Sequence, residues 1–299
     1  FYWMGFVLLA LCSFLAADVL WFVAKCLHAG QGVRQLIFLT ALVLALGGSV
    51  YGFFNARDVR VTHYQIEIEK APPGRQSLRA VVLSDLHLWG GLDARRLEHF
   101  VEMANAQNPD IVFIPGDFVD CSTAAFECGG YVEVFKKLKA PLGVYVVTGN
   151  HDFFERDARR LPEVLKTANV DIVDERVTSV ENSFYIAGRI DKSVWPRKKL
   201  SEILAGLDPN KPLILLDHQP VDLDKAAALG VDLQLSGHTH GGQIFPGNIV
   251  TRLLFDNHYG LLKNGAYHSI VTSGAGYWGP PYRVGSISEI VVVDIAFKK

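Results

Sequence analysis

Two histidines stand two positions apart in the glycine-rich segment Leu235-Ser236-Gly237-His238-Thr239-His240-Gly241-Gly242. Apolar and polar residues alternate before it, from 231 to 235, which predicts a short strand. The strand ends where Gly237 lets the backbone turn close to a ligand. A single histidine is more often a surface or core residue, but His238 and His240 can face two different metals from one turn. Similar segments elsewhere in the chain favour the metal site.

Four other apolar runs are each followed directly by Asp, Asn or His. The runs predict buried strands at 78–83, 111–114, 144–147 and 213–216. In open α/β sheets the carboxyl ends of the strands form the edge where ligands bind, so we expect these loops to converge. The residues that follow the four runs are Asp85, His87, Asp117, Asn150 and His218.

The residue types in this set specify a kind of metal site. Imidazole nitrogens and carboxyl or amide oxygens without thiolates suit Mn²⁺, Fe or Zn²⁺ and argue against a structural zinc knot. Seven ligands are too many for one ion but suit two ions that share a bridging carboxylate. Two such ions activate a water and hold both oxygens of an in-line phosphoryl displacement. The set therefore predicts hydrolysis of a phosphate ester or anhydride.

The order of these motifs resembles that of the calcineurin-like metallophosphoesterase family, over about residues 79–295. The resemblance implies an α/β sandwich of two mixed sheets flanked by helices, with a dinuclear centre at their edge. It implies two divalent ions, with manganese expected first and iron or zinc as alternatives. The motifs are Asp85-Leu86-His87, Gly116-Asp117, Gly149-Asn150-His151-Asp152, His218 and Gly237-His238-Thr239-His240.

The same resemblance assigns roles to individual residues. One metal is bound by Asp85, His87 and His240, the other by Asn150, His218 and His238, and Asp117 bridges the two. His151, held by Asp152, contacts the phosphate and assists the leaving group. A carboxylate beside an imidazole raises its basicity and fixes its orientation, as a general acid at neutral pH requires. The alternative is that Asp152 caps a helix beginning near Phe154.

The front of the chain predicts a membrane anchor. Of the 299 residues, 49% are hydrophobic, and the excess lies in residues 1–24, interrupted by Asp18, and in the uncharged run 35–55. A bilayer core takes roughly 20 apolar residues of helix, so each run is long enough to span it. We expect two transmembrane helices joined by residues 25–34. The membrane region would then be 1–56 and the catalytic domain 57–299.

Three alternatives concern this anchor. A cleaved signal peptide competes for the first run, but that run lacks a basic beginning and a second run follows it. The first residue is Phe rather than Met, so preceding sequence could add further helices. Basic residues flank the second run on both sides, and the side of the membrane on which the catalytic domain lies is therefore open.

Two helices are also predicted outside the membrane region, one capped by Asp93 and one from about residue 155 to 168.

The membrane part bears on the substrate. A net charge of −2 without a long basic block argues against nucleic acid as a partner. The anchor together with Gly-His-Thr-His-Gly-Gly-Gln resembles membrane-attached phosphodiesterases, among them the UDP-2,3-diacylglucosamine pyrophosphatases. This resemblance implies a lipid-linked phosphate as substrate, the bilayer as partner, and a catalytic domain on the cytoplasmic side.

Three residues are candidate substrate contacts. Arg283 either meets a phosphate oxygen, which fits the guanidinium fork, or forms a surface ion pair. Phe245 and Tyr277 lie in apolar and aromatic segments that could line a site for acyl chains. Two other functions stay open: a tethered broad-specificity phosphatase or cyclic-nucleotide phosphodiesterase, and a non-catalytic membrane scaffold with a metal-binding domain. The oligomeric state is also open.

Overall fold

A computed structural model describes residues 1–89, 94–153 and 157–298 of the chain. It begins with two long helices, α1 (Tyr2–Cys26) and α2 (Gln31–Asn55). They pack antiparallel as a hairpin, with Phe14 against Phe38 midway along it. Both helices are long and apolar enough to cross a membrane.

The two helices are longer than the predicted spans, whose approximate limits of 1–24 and 35–55 stay predictions. α1 extends to Cys26, and α2 begins at Gln31. The connection is therefore residues 27–30 and not 25–34. Arg34 lies inside α2, where its guanidinium packs over Trp21, 5.8 Å from the ring centroid. A charge at the end of a span can reach the headgroup region while its stem stays apolar.

The rest of the chain alternates strands with short helices. The strands are β1 (Val59–Ile68), β2 (Ser77–Val82), β3 (Ile111–Pro115), β4 (Val144–Val147), β5 (Val170–Ile172), β6 (Arg176–Val180), β7 (Phe184–Arg189), β8 (Leu213–Asp217), β9 (Leu233–Ser236), β10 (Gly260–Asn264), β11 (Tyr267–Val271) and β12 (Ser288–Phe297). The helices are α3 (Ala94–Ala106), α4 (Thr123–Cys128), α5 (Tyr131–Phe135), α6 (Leu161–Thr167), α7 (Leu200–Ile203), α8 (Leu223–Ala228) and α9 (Gly247–Leu254).

The strands form two mixed sheets of six. The first has the order β1-β12-β2-β3-β4-β5, and only the β12–β2 pair in it is antiparallel among the described pairs. The second has the order β10-β11-β9-β8-β7-β6, with antiparallel pairs at its two edges. The predicted α/β fold of two mixed sheets flanked by helices is confirmed.

The core lies between the sheets and under the helices. Phe113 of β3 and Leu216 of β8 meet in a buried cluster between the two sheets. β3 and β8 are buried throughout, which explains why both read as continuous apolar runs. On the outer side of the first sheet, α3 buries Leu97, Phe100 and neighbours as its periodicity predicted. The predicted cap Asp93 lies outside the described residues.

The predicted helix from about 155 to 168 is shorter in the structure. Residues 154–156 lie outside the described part of the chain. A 3₁₀ turn occupies Ala158–Arg160, and α6 begins at Leu161, with proline in its first turn. Proline is favoured in the first turn of a helix, where its missing N–H is not needed, so it starts a new helix here.

The helical hairpin is docked onto the α/β unit at one end. The carbonyl of Gly52 accepts a hydrogen bond of 2.9 Å from the Arg283 N–H, and the Asn55 amide donates to the carbonyls of Arg283 (3.0 Å) and Ser286 (2.9 Å). A Cβ at Gly5 would lie 2.3 Å from the ring of Tyr282, so glycine is needed there. The beginning of α1 and the end of α2 therefore both meet the α/β unit. The division of the chain at residue 57 stays a prediction.

Candidate metal centre

The loops that follow β2, β3, β4, β8 and β9 meet at one edge of the two sheets. The structure brings all seven predicted ligands together there. Five of them have a left-handed backbone, which is uncommon outside glycine and concentrates at functional sites. Each such turn directs a side chain into the site. The five residues are Asp85 (φ 52°), His87 (47°), Asp117 (51°), His238 (68°) and His240 (51°).

The ligand atoms form two groups. Those of Asp85, His87 and His240 all lie within 4.8 Å of one another, and so do those of Asp117, His218 and His238. Asn150 joins the second group, because its Oδ1 lies 3.0 Å from His238 Nδ1.

Asp117 lies between the two groups. Its Oδ2 is 3.1 Å from His218 Nε2 and 3.9 Å from His87 Nε2. This is the position of a carboxylate that could contact two ions at once. Burial would raise the pKa of Asp117, but the charges of His218 and His87 lower it well below its usual range. The carboxyl is therefore ionised, as a bridging ligand must be.

The arrangement fits two divalent cations. Asp85 Oδ2 is buried without a hydrogen-bond partner, and Nε2 of His87 faces Nε2 of His240 at 3.0 Å. Buried polar atoms without partners are costly, and a cation would satisfy them. Burial, followed by the charge of His218, lowers the pKa of His238 to about 4. The burial of His240, followed by His87, also lowers the pKa of that residue. Neutral imidazoles are the form that binds metals. Against the effect of burial, Asp117 raises the pKa of His218 to about 10, so metal binding would release the proton of that imidazole.

Glycines of the motifs leave room for the ligands. A Cβ at Gly149 would lie 2.1 Å from Asp117 Oδ1, and one at Gly237 would lie 2.1 Å from Asp85 Oδ2. Any larger residue at these two positions would displace a metal ligand. Gly237 therefore allows the close approach that the sequence predicted for it, and Gly149 does the same.

The hydrogen-bond partners of Asp152 in the structure differ from the predicted partner His151. The buried carboxylate of Asp152 accepts backbone hydrogen bonds from Asp117 (3.0 Å), Val119 (3.1 Å) and Gly149 (2.8 Å). His151 and Asp152 begin the 3₁₀ turn His151–Phe153, and adjacent side chains of such a turn point about 120° apart. Asp152 therefore holds the two motif loops together instead of orienting the imidazole.

Asp120 is the carboxylate that contacts His151. Its Oδ1 lies 2.8 Å from His151 Nδ1 and 2.9 Å from His87 Nδ1. Burial alone would lower the pKa of His151, but the hydrogen bond to Asp120 raises it. The two histidines lower the pKa of Asp120 to about 2, against the effect of burial. The sequence contained one signal for this residue, since metal-bound histidines usually donate their second N–H to a carboxylate.

Two tryptophans lie near the ligands, one in space and one along the chain. The ring of Trp278, which is 55% exposed, lies 5.9 Å from that of His151. Trp89, two residues after His87, packs its ring edge-on against Phe1, the residue preceding α1, at 5.5 Å. Sequence reasoning had missed both tryptophans. Trp89 therefore connects the loop that carries His87 to the start of the first apolar helix.

Arg283 does not take either predicted position. It is fully buried, and its guanidinium donates to the carbonyls of Ser273 (2.6 Å), Gly276 (2.7 Å) and His240 (3.1 Å). It is thus neither a phosphate contact nor a surface ion-pair residue, because it is buried and backbone carbonyls accept from both terminal nitrogens of its guanidinium. Burial lowers its pKa to about 10. Arg283 instead fixes the loop that carries His240.

Of the other two candidate substrate contacts, Phe245 is exposed and Tyr277 is half-buried. Phe245 is 47% exposed. Tyr277 is half-buried, and the guanidinium of Arg96 lies over its ring at 4.4 Å. Contact of either residue with substrate stays a prediction.

Comparison with known proteins identifies a family and several relatives of this chain. The calcineurin-like phosphoesterase family matches residues 78–242. A "Transmembrane protein with metallophosphoesterase domain" from Danio rerio is 33% identical over 88% of this chain and 63% of its own length. An "Uncharacterized metallophosphoesterase" from Aquifex aeolicus is 33% identical over 83% of this chain and 96% of its own. A crystal structure of TT1561 from Thermus thermophilus aligns with a TM-score of 0.42 at 17% identity, covering 67% of this chain and 89% of that one.

The chain belongs to the calcineurin-like phosphoesterase family. Membership implies a metal-dependent phosphoesterase, and the two groups of ligand atoms are its candidate dinuclear centre. The Danio rerio relative is named a transmembrane protein, which together with the two apolar helices supports membrane anchoring. The chain spans only 63% of that relative.

Proposed function

We propose that this chain is a membrane-anchored phosphodiesterase or pyrophosphatase that hydrolyses a lipid-linked phosphate, such as UDP-2,3-diacylglucosamine, at the bilayer surface. One observation carries the proposal: the loop that carries a metal ligand contacts the beginning of the hairpin. Trp89, beside the ligand His87, contacts Phe1 at the start of α1. A substrate whose acyl chains stay in the bilayer can therefore present its phosphate to the centre. Holding the enzyme in the same membrane raises its effective concentration toward such a substrate.

A second contact strengthens the connection between membrane and metal. The backbone of Arg283 is hydrogen-bonded to Gly52 and Asn55 of α2, and its guanidinium holds the carbonyl of His240. One residue thus joins a membrane-spanning helix to a metal ligand. This arrangement keeps the centre at a constant distance from the bilayer. A merely tethered enzyme on a flexible linker would not have it.

The proposed chemistry divides between the ions and the protein. Two divalent ions, manganese first among the candidates, would activate a water and neutralise charge on the phosphoryl group. The seven ligands hold them at the sheet edge. His151, whose pKa is raised by its hydrogen bond to Asp120, gives its proton to the leaving oxygen. Trp278, exposed beside His151, offers a face on which a nucleobase of the leaving group stacks.

We place the catalytic domain on the cytoplasmic side, where nucleotide-linked lipid precursors are made. The bilayer is the proposed partner, and nucleic acid is not. The alternative functions differ from this one in an observable way. A tethered broad phosphatase or a cyclic-nucleotide phosphodiesterase would turn over soluble esters without preferring a lipid substrate, and a scaffold would turn over neither kind.

The test uses the full chain in lipid–detergent micelles. Hydrolysis of dispersed UDP-2,3-diacylglucosamine is compared with that of bis-p-nitrophenyl phosphate, before and after chelation and after re-addition of Mn²⁺, Fe²⁺ or Zn²⁺. We expect chelation to abolish turnover and Mn²⁺ to restore it. His151→Ala should lower kcat by about 10²–10⁴-fold. The exposed His99 of α3 provides the matched control, His99→Ala.

Two outcomes would contradict different parts of the proposal. Hydrolysis that survives both chelation and His151→Ala would overturn the catalytic assignment. A kcat/KM for the lipid substrate no higher than that for bis-p-nitrophenyl phosphate would overturn the lipid substrate while leaving the metal chemistry intact.

A further inference from the structure

Helix α9 has an apolar face that the rest of the described chain leaves uncovered. Ile249, Val250, Leu253 and Leu254 follow an i, i+1, i+4, i+5 pattern, which places them on one side of the helix. Leu253 is 81% exposed and Leu254 is 71% exposed, and the other two are about half exposed. A contiguous group of large apolar side chains in water is unusual and marks an interaction surface.

The position of α9 relative to α2 identifies the environment of this face. Arg283, hydrogen-bonded to Gly52 of α2, is followed by Val284, whose carbonyl accepts from the Phe245 N–H at 2.7 Å. Phe245 lies two residues before α9 begins. Two backbone hydrogen bonds thus connect the segment before α9 to α2 at Gly52. The helix cannot move far from the end of the membrane-crossing hairpin.

A cavity between α2 and α9 shows where along the axis of α2 the apolar face of α9 lies. It has a volume of about 650 Å³, and Tyr51 of α2 lines it together with Ile249 and Leu253 of α9. Tyr51 stands four residues before Asn55, where α2 ends, which is about 6 Å along the helix axis. The apolar face of α9 therefore lies level with the last turns of α2. Interfacial helices bury their apolar faces about 5–10 Å into the headgroup and acyl boundary.

We propose that α9 is an interfacial helix whose Ile249, Val250, Leu253 and Leu254 insert into the bilayer leaflet in which α2 ends. The apolar face continues the lipid-facing surface of α2, where Val50 and Phe54 are 60% and 65% exposed. Lipid chains would fill the space between Tyr51 and Leu253. This inference rests on membrane crossing by α1 and α2 and is independent of the proposed substrate.

The inserted helix would act on the metal centre through a short connection. Six residues separate His240 from Gly247, where α9 begins, and Gly242 and Gly247 are in close contact: a Cβ at Gly247 would lie 2.3 Å from the Gly242 carbonyl oxygen. Insertion of α9 therefore holds the His240 loop against the membrane. Together with the hairpin, it gives the α/β unit two separate attachments, which restrict rotation about the hairpin axis.

The test measures the depth of α9 in a bilayer. The full chain, with its native cysteines replaced by alanine, is reconstituted in phosphatidylcholine–phosphatidylglycerol nanodiscs. A nitroxide is attached at Leu253→Cys, and its relaxation by oxygen, which concentrates in lipid, is compared with that by a water-soluble nickel chelate. Two controls use exposed positions: Leu229→Cys, at the end of α8, and Asp256→Cys, two residues beyond α9.

We expect the ratio of oxygen to nickel relaxation at position 253 to exceed that at 229 and 256 by about ten-fold, with a depth of about 5–10 Å. A ratio equal to that of the two controls would show α9 in water and overturn the proposal. Low accessibility to both reagents would show the face covered by protein, such as a second copy, and would overturn it too.

A second measurement covers the case in which the cysteine-free chain does not fold. Leu253→Trp and Leu229→Trp are made in the natural sequence, and each is reconstituted with lipids brominated at shallow acyl positions. The additional fluorescence of Leu253→Trp should be quenched several-fold more than that of Leu229→Trp. Equal quenching at the two positions would contradict insertion.

Discussion

At the scale of single residues, Asp120 has the most consequential contacts outside the seven ligands. One of its oxygens reaches Nδ1 of both His87 and His151, and the rings of these two histidines meet edge-on at 4.8 Å. Asp120 therefore orients a metal ligand and the proposed proton donor together. Such orienting carboxylates fix the tautomer of the imidazole and increase its basicity.

Asp120→Asn should lower kcat by about 10–100-fold, because the amide keeps the shape but loses the charge that orients both imidazoles. KM and the melting temperature should change little. Steady-state kinetics at saturating Mn²⁺, with metal content measured on the same sample, checks this. Asp208→Asn, in an exposed loop, is the control. A kcat equal to that of the control would mean that Asp120 has no positioning role.

Arg283 shows how burial changes the meaning of a residue type. A guanidinium in a glycine-rich loop fits a phosphate, but here carbonyls of the same loop and of His240 take its hydrogen bonds. Its contribution is to hold the loop together. Removing one partner from such a buried network leaves several unsatisfied carbonyls, which is costly.

At the scale of elements, the docking of the hairpin depends on close approach by glycine. Gly5 of α1 packs directly on Tyr282, and Gly52 of α2 packs on Val284. Leu9 shares a buried cluster with Tyr282 and Ile244. The hairpin is thus a packed part of the molecule and not only a tether.

Gly5→Ala should destabilise the protein by about 1–3 kcal/mol, because its Cβ would lie 2.3 Å from the ring of Tyr282 and force it to move. Gly47→Ala is the matched control, since a Cβ there meets nothing within 4 Å, and alanine favours the helix. Thermal unfolding in detergent, followed by circular dichroism, measures the difference. Equal melting temperatures for the two variants would show that α1 does not pack on the α/β unit.

At the scale of the whole molecule, the hairpin determines which parts share a side of the membrane. The two helices are antiparallel and 25 residues long each, or about 37 Å. Aromatic residues that favour the membrane–water boundary stand at both ends, Trp3 and Tyr51 near the α/β unit and Trp21 at the other. A hairpin that crosses the bilayer would place the residue before α1 and the α/β unit on one side and residues 27–30 on the other.

A cysteine introduced as His28→Cys, in the connection between the helices, should react with a membrane-impermeant maleimide only from the side opposite to the catalytic domain. The native Cys128, exposed in that domain, is the internal reference. The protein also carries Cys26→Ala and Cys12→Ala, which remove the two native cysteines of the hairpin. Labelling in sealed vesicles of known orientation then shows from which side positions 28 and 128 react. Reaction of positions 28 and 128 from the same side would show that the hairpin does not cross the membrane.

The amino-acid sequence by itself determined the strand ends, the seven candidate ligands and the two long apolar helices. These features come from local patterns: a buried strand needs an apolar run, and in parallel strands the next residues necessarily meet at one sheet edge. Only the tertiary structure decided that Asp120 and not Asp152 contacts His151, that Arg283 is buried, and that α9 keeps an uncovered apolar face beside Tyr51. Side-chain direction in a tight turn depends on backbone angles, and burial depends on residues more than 200 positions away, such as Gly52 against Arg283. Neither is encoded in the spacing of residues along the chain.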